Sequence, residues 1–306
     1  MSGASADVSS GSADAQAQFA MLVPMIRKKK LRVIVPAGSV IAVTLLFVGS
    51  GLVQAKSNAA SPAFVAADFP STPTSINTFF PLTPGNQSVQ QGALNRGHRR
   101  LPHRRVLTVT GTTKEIAGVT TVLILDQDFD GGELAEQAVD YVAEDRKGNV
   151  WYLGSYTEAY EGGQFVNAND AWLVGVRGAK AGILMLSTPT KGAPRYVQAV
   201  VPGEGAATAR VTKTGQSACV PFRCFDGVIV TEENSSEIRI FAPGVGVIKT
   251  QPTSGREQET EELINFTKLT GSGLVELSDE ARRLDDHAHV TSKSVFGTSS
   301  KAKRAG

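Results

Sequence analysis

The chain has little cysteine, little histidine and almost no imbalance of charge. Two cysteines and four histidines stand among 306 residues, and the formal net charge is +2. Such a balance projects no field of one sign, which argues against a general affinity for nucleic acid. Two lone thiols make a poor metal set, and the four residues between Cys219 and Cys224 do not match the Cys-x-x-Cys redox spacing. The region after residue 55 has no Gly-x-Ser-x-Gly elbow, so a serine hydrolase lacks its usual nucleophile. His98, His103, His287 and His289 fall in a basic stretch and a polar tail rather than beside an apolar strand end. Helical periodicity is nearly absent. The expectation from these absences is a non-enzymatic protein with no cofactor and no metal site.

What is present begins with an address. Arg27-Lys28-Lys29-Lys30 runs into the uncharged stretch Val33–Ala55, the pattern of an export signal whose cations stay at the cytoplasmic face. At about 1.5 Å per residue the stretch is long enough to span a hydrocarbon core of about 30 Å. Its most apolar part, Val40–Val48, is shorter, and Val53-Gln54-Ala55 suits signal peptidase. Cleaved export and a retained membrane anchor both stay open. No cysteine lies near Ala55, which excludes a lipid-modified anchor there. The twenty residues before Met21 are almost all Ser, Ala, Gly, Asp and Gln, so residues 1–25 read as disordered or as lying ahead of the true start; a start at Met21 or Met25 leaves a conventional signal, with residues 26–55 as signal or anchor. The remainder is expected to be extracytoplasmic, secreted or membrane-anchored.

About 250 residues follow, enough for one large β domain or two small ones. Residues 56–78 are rich in Ser, Ala, Pro and Thr and read as a linker with too little apolar surface to pack. From Arg105 onward, runs such as Val119–Leu125, Val150–Leu153 and Phe225–Thr231 are rich in β-branched and aromatic residues. They recur about every ten residues with Gly-rich turns between. The expectation is a single antiparallel β domain over residues 79–270, a meander, half-barrel or barrel. Residues 271–306 read as a short helix capped by Ser278 and a disordered polar tail. In an oxidising compartment Cys219 and Cys224 pair as a structural staple, closing a hairpin with Pro221-Phe222 at its tip.

Phe80-Pro81-Leu82-Thr83-Pro84-Gly85, Val119-Thr120-Thr121-Val122, Gly148-Asn149-Val150-Trp151-Tyr152-Leu153-Gly154 and Phe241-Ala242-Pro243-Gly244-Val245-Gly246 follow in that order. Over about Phe79–Leu269 the chain resembles a widespread family of uncharacterised bacterial secreted proteins and lipoproteins. The resemblance implies bacterial origin, export and an all-β domain, and no activity. Relatives usually carry Glu-rich sequence near Pro202-Gly203-Glu204, where this chain has Gly205-Ala206-Ala207-Thr208-Ala209. The resemblance therefore carries no acidic ligand site over to this chain.

Several clusters are candidate sites. Asp126-Gln127-Asp128-Phe129-Asp130-Gly131 matches the opening of a calcium loop, but Gln137 stands where the closing Glu belongs, so an acidic β-turn is the preferred reading. Arg96–Arg105 is basic without interleaved aromatics, which suits a solvated loop better than a grip on anionic polymer, lipid headgroup or nucleic acid. Glu232 and Glu233 point to opposite faces of a strand and make no dyad. Asp140, Glu144 and Asp145 read as the solvent face of a hairpin. Trp151, Tyr152, Tyr156, Tyr160 and Trp172 read as core and rim packing. The leading expectation is an envelope protein whose β domain binds or scaffolds an unknown envelope component, attached to the membrane through its N-terminal segment if that stays uncleaved. The alternative is a carrier of a lipid or other apolar ligand, with Val122, Ile124, Trp151 and Leu153 lining a cavity of several hundred cubic ångströms.

Overall fold

The computed structural model describes residues 62–96, 98–254 and 257–305. The export segment and the alternative starts lie outside the described residues. A short 3-10 turn, Ala66–Asp68, precedes an uninterrupted series of strands. These are β1 (Asn86–Arg96), β2 (Arg99–Ile116), β3 (Val119–Asp130), β4 (Glu133–Glu144), β5 (Val150–Glu161), β6 (Gln164–Leu173) and β7 (Lys180–Met185). They continue as β8 (Tyr196–Val201), β9 (Gly205–Cys219), β10 (Cys224–Glu233), β11 (Glu237–Ala242), β12 (Gly246–Pro252) and β13 (Glu257–Lys268). Helices α1 (Gly271–Thr291) and α2 (Lys293–Phe296) and a two-residue strand, β14 (Lys303–Arg304), end the chain.

The strands form an antiparallel ring in the order β1-β13-β12-β11-β10-β9-β8-β7-β5-β4-β3-β2, and pairing of β1 with β2 closes it. The protein is therefore an all-β barrel, closed rather than half-open. Tight turns make the meander continuous: Gly162 and Gly163 both take positive φ between the paired residues Glu161 and Gln164, the requirement of a type I′ hairpin that glycine meets without strain. β6 leaves the ring. It pairs Gly154–Glu161 of β5, while β7 takes over the same edge at Val150–Tyr152.

Two apolar layers follow from strand alternation. On one face of β2–β5, Leu123, Tyr141, Leu153 and Tyr156 pack beneath Ala281, Leu284 and Ala288, the apolar stripe of α1, and beneath Phe296. On the other face Val122, Ile124, Val142 and Tyr152 meet Ile229 and Phe241 from the far side of the ring. That face is the barrel interior.

Three expectations need correction. Residues 62–78 are not a loose linker, because Phe64 and Phe69 set their rings 5.8 and 6.0 Å from that of Trp151. Asn77 fixes the same segment, its side chain donating to the carbonyl oxygens of Gly148 at 2.7 Å and Leu186 at 3.1 Å. The C-terminal helix is longer than expected, starting at Gly271, so Ser278 is mid-helix and not its cap. Its hydroxyl donates to the Leu274 carbonyl at 2.6 Å and accepts the Gly111 N–H at 2.9 Å. Nor is the tail a disordered strand of polar residues: Phe296 is fully buried, and β14 adds to the edge of β2.

The segments Phe80–Gly85, Gly148–Gly154 and Phe241–Gly246 approach one another through the residues just before Phe80. Thr78, just before Phe80–Gly85, accepts the Gly244 N–H at 2.8 Å, while neighbouring Asn77 binds Gly148.

Candidate functional site

The barrel interior holds a charged layer at the seam where β1 closes the ring. In β2, His103 and Arg105 are buried and Arg104 between them is exposed, as a two-residue period requires. The basic stretch is thus a hairpin, with Arg96 ending β1 and Arg99–Arg105 opening β2, and not a solvated loop, although His98, Arg99, Arg100 and Arg104 do face solvent. In β3, Asp126 and Asp128 are buried and Asp130 is half-buried along the same face. These carboxylates are neither a calcium loop nor a turn.

Register brings the two runs together. His103 pairs with Asp130 on β3 and with Gly92 on β1, and Gly92 pairs in turn with Glu261 on β13. With no side chain on Gly92, groups from β2 and β13 can approach across the intervening strand. A Cβ at Gly92 would also fall 1.7 Å from the Thr260 carbonyl oxygen, so the close approach requires glycine. His103 Nδ1 lies 2.8 Å from Asp130 Oδ1. Its Nε2 lies 3.0 Å from Glu259 Oε1, 3.3 Å from Glu261 Oε1 and 3.6 Å from Asp128 Oδ1. Burial alone would lower the His103 pKa, but the hydrogen bonds with Asp130 and Glu261 and the charge of Asp128 raise it to about 9.

Arg105 binds Asp126 through two nitrogens, Nε at 2.9 Å and Nη2 at 2.5 Å. Such a fork is the geometry for which a guanidinium is preorganised. Burial opposes its charge, yet Asp126 and Glu261 hold it more firmly protonated than usual. Deeper in the barrel, the Tyr152 hydroxyl donates to Asp140. Burial, with the nearby charge of Asp126, pushes the Asp140 pKa up to about 7.

The acids expected on a solvent face are all buried. Asp140 lies in the interior just described. Glu144 accepts the backbone N–H groups of Ile76 at 2.8 Å and Asn77 at 2.5 Å, anchoring the incoming segment. Asp145 organises the β4–β5 turn, accepting from Lys147 N, Asn149 N and the Trp151 indole at 2.8–2.9 Å.

The remaining candidates divide by face. Tyr152 and Trp172 stack edge-on at 4.9 Å in the interior. Trp151 and Leu153 turn to the outer apolar layer, away from Val122 and Ile124. No common groove joins these four, and alternation along β5 is the reason. Tyr156 lies under the helices against Phe296, and the Tyr160 hydroxyl donates to Glu158. His287 also binds Glu158, at 2.6 Å, tying α1 to β5. Glu232 and Glu233 do point apart: Glu232 pairs with Arg195 and Arg210, whereas Glu233 is buried with the Thr231 hydroxyl at 2.6 Å. Cys219 and Cys224 form a disulfide across the β9–β10 hairpin, with Cα atoms 3.9 Å apart.

The charged layer escapes a reading by motif because its members come from four strands. A signal was nevertheless present: Asp126-x-Asp128-x-Asp130, His103-x-Arg105 and Glu259-x-Glu261 all repeat with the period of a strand.

Comparison with known proteins adds little. No family model and no curated protein matches the chain. Among solved structures, a protein from Parabacteroides distasonis described as a putative lipoprotein is similar at 13% identity and a TM-score of 0.34, covering 63% of this chain and all of that one. A β-barrel-like protein of a domain of unknown function from Brucella abortus is similar at 12% identity and a TM-score of 0.32, covering 60% of this chain and 98% of that one. At these scores neither carries an argument about this chain.

Proposed function

We propose that this protein is an exported, non-enzymatic envelope protein whose barrel binds or scaffolds a partner at the cell surface. The observation that carries this reading is the filled interior. The cavity between Phe80, Ile124, Leu184, Phe241 and Phe266 measures about 70 Å³, whereas a pocket for a lipid or drug-sized molecule needs roughly 300 Å³ or more. Phe79, Phe80 and Leu82 pack into the interior apolar layer and occupy space that a carried ligand would need. The carrier reading loses support accordingly.

The outer surface supports the partner reading at one strand. Strand β6 has a ladder neighbour on one side only among the described residues, β5, and presents Phe165 and Val166 to solvent. Beside it a cleft of about 450 Å³ runs between Asn169–Leu173 and the turn Pro202–Glu204. The helices reach this strand at Ala168, whose carbonyl accepts the Ser292 hydroxyl at 3.4 Å; elsewhere a strand edge beside a cleft suits an extended segment of a partner protein, bound by main-chain hydrogen bonds. Membrane attachment, if any, rests on residues 33–55; among the described residues no helix is long and apolar enough to cross a membrane.

Two measurements test this. Native mass spectrometry of protein purified from its own host should give an apo mass, with no rise in melting temperature on adding lipid; bound lipid would restore the carrier reading. A photo-crosslinking residue at Val166 should capture a partner in intact envelopes, and one at exposed Val275 on α1 should not. Equal capture, or none, removes β6 as the binding edge.

A further inference from the structure

We propose that His103, Glu259 and Glu261 form a buried site for a divalent transition metal ion such as Zn2+, joining β2 and β13 across the seam strand β1, with Asp128 of β3 the nearest further carboxylate. The inference is independent of the partner-binding reading. It begins with spacing. The donor atoms of His103, Glu259 and Glu261 all lie within 4.8 Å of one another. From His103 Nε2 the separations are 3.0 Å to Glu259, 3.3 Å to Glu261 and 3.6 Å to Asp128. A tetrahedral zinc ion with bonds of about 2.0–2.1 Å sets its donors about 3.3 Å apart. The edges from His103 to Glu259 and Glu261 therefore match a metal's donor spacing to within a few tenths of an ångström.

Orientation supplies the second argument. Asp130 engages Nδ1 at 2.8 Å, which holds a proton on that nitrogen and turns the Nε2 lone pair toward Glu259, Glu261 and Asp128. A carboxylate behind the far nitrogen of a histidine is the arrangement by which proteins fix the tautomer and direction of a metal-ligating imidazole. Backbone placement supplies the third. Glu259 and Glu261 alternate on β13 and so share a face, and Gly92 leaves the crossing from β2 to β13 clear.

One imidazole and two carboxylates suit zinc and similar ions, whereas the absence of thiolate disfavours copper(I). All three donors are buried on strands that close the ring, so the ion's role is structural. It would lock the strand pairings that close the ring.

An imidazolium ion hydrogen-bonded to the same oxygens is the competing occupant, and metal uptake separates the two. Untagged full-length protein, stripped with EDTA, is titrated with Zn2+ by calorimetry and with Co2+ by visible absorption. One equivalent per chain is expected, with the intense visible bands of tetrahedral Co2+ and a higher melting temperature. H103Q and E261Q should abolish uptake, D130N should weaken it about 10–100-fold by loss of orientation, and E232Q, remote from the site, should leave it unchanged. Absence of stoichiometric uptake, or undiminished uptake by H103Q and E261Q, overturns the proposal. Should those variants fail to fold, imidazole 15N spectra of the wild type decide: Zn2+ must move the Nε2 resonance of a buried histidine, and an unmoved spectrum overturns the site.

Discussion

Lys114 on β2 and Asp285 on α1 meet at 2.7 Å with almost none of either side chain exposed to solvent. The same Asp285 oxygen accepts the Tyr141 hydroxyl at 2.7 Å, and its other oxygen accepts the Ala302 N–H at 2.8 Å. Burial lowers the Lys114 pKa against the pull of Asp285. One carboxylate thus gathers the barrel wall, the helix and the C-terminal tail.

Removing one partner leaves the other charge buried and uncompensated, which typically costs about 3–5 kcal/mol. K114M and D285N should each lose on that order in chemical denaturation. K114M/D285L should lose much less than the sum, because no charge is stranded. A K114M variant as stable as wild type would show that the pair does not hold the helix.

This contact also shows what could be read from the sequence. The strands of the barrel were legible because β-branched runs and glycine turns act locally, and the Cys219–Cys224 pairing because both residues belong to one hairpin. Lys114 and Asp285 are separated by 171 positions, and nothing near either marks the other. The same holds for Phe296, a lone aromatic in a polar tail that becomes fully buried. Asp140 and Glu144 look like solvent-facing acids until the residues that surround them, from β5 and from the segment before β1, are in place. His103 reads as part of a basic loop because its neighbours are arginines, although alternation alone places it opposite to Arg104.

Glu144 should govern how firmly the segment before β1 is held. It accepts two backbone N–H groups and the Thr74 hydroxyl, and an unsatisfied buried donor costs about 1–3 kcal/mol. E144A should therefore be less stable by a similar amount and should be cleaved faster by proteases within residues 62–78. Unchanged cleavage would mean that Phe64 and Phe69 suffice to hold the segment.

Asp140 should impose a pH dependence of definite sign. Its pKa rises from 3.8 to about 7 on folding, so the folded chain binds this proton more tightly than the unfolded chain. The contribution to stability is fully present below about pH 4 and is lost as pH climbs to about 7, a change on the order of 4 kcal/mol. D140N keeps a neutral group of similar shape and should lack this slope. Stability measured from pH 4 to 8 should therefore show D140N gaining on the wild type as pH rises. Parallel profiles would place the raised pKa elsewhere.

The disulfide should matter less than its chemistry suggests. Cys219 and Cys224 are exposed and close a loop of only six residues, and the entropy removed from the unfolded chain by so short a loop is worth about 2 kcal/mol or less. The hairpin has other supports. Val220 and Phe225 are buried with Leu263, the Phe222 N–H donates to the Leu263 carbonyl at 3.1 Å, and the Arg223 guanidinium lies 4.6 Å from the centre of the Phe225 ring. The C219A/C224A variant should therefore fold to the same barrel with a melting temperature lower by about 8 °C at most. Thiol titration of unfolded, unreduced wild type from the oxidising compartment should find no free group. A variant that cannot fold would mean that the staple acts before the hairpin's own contacts form.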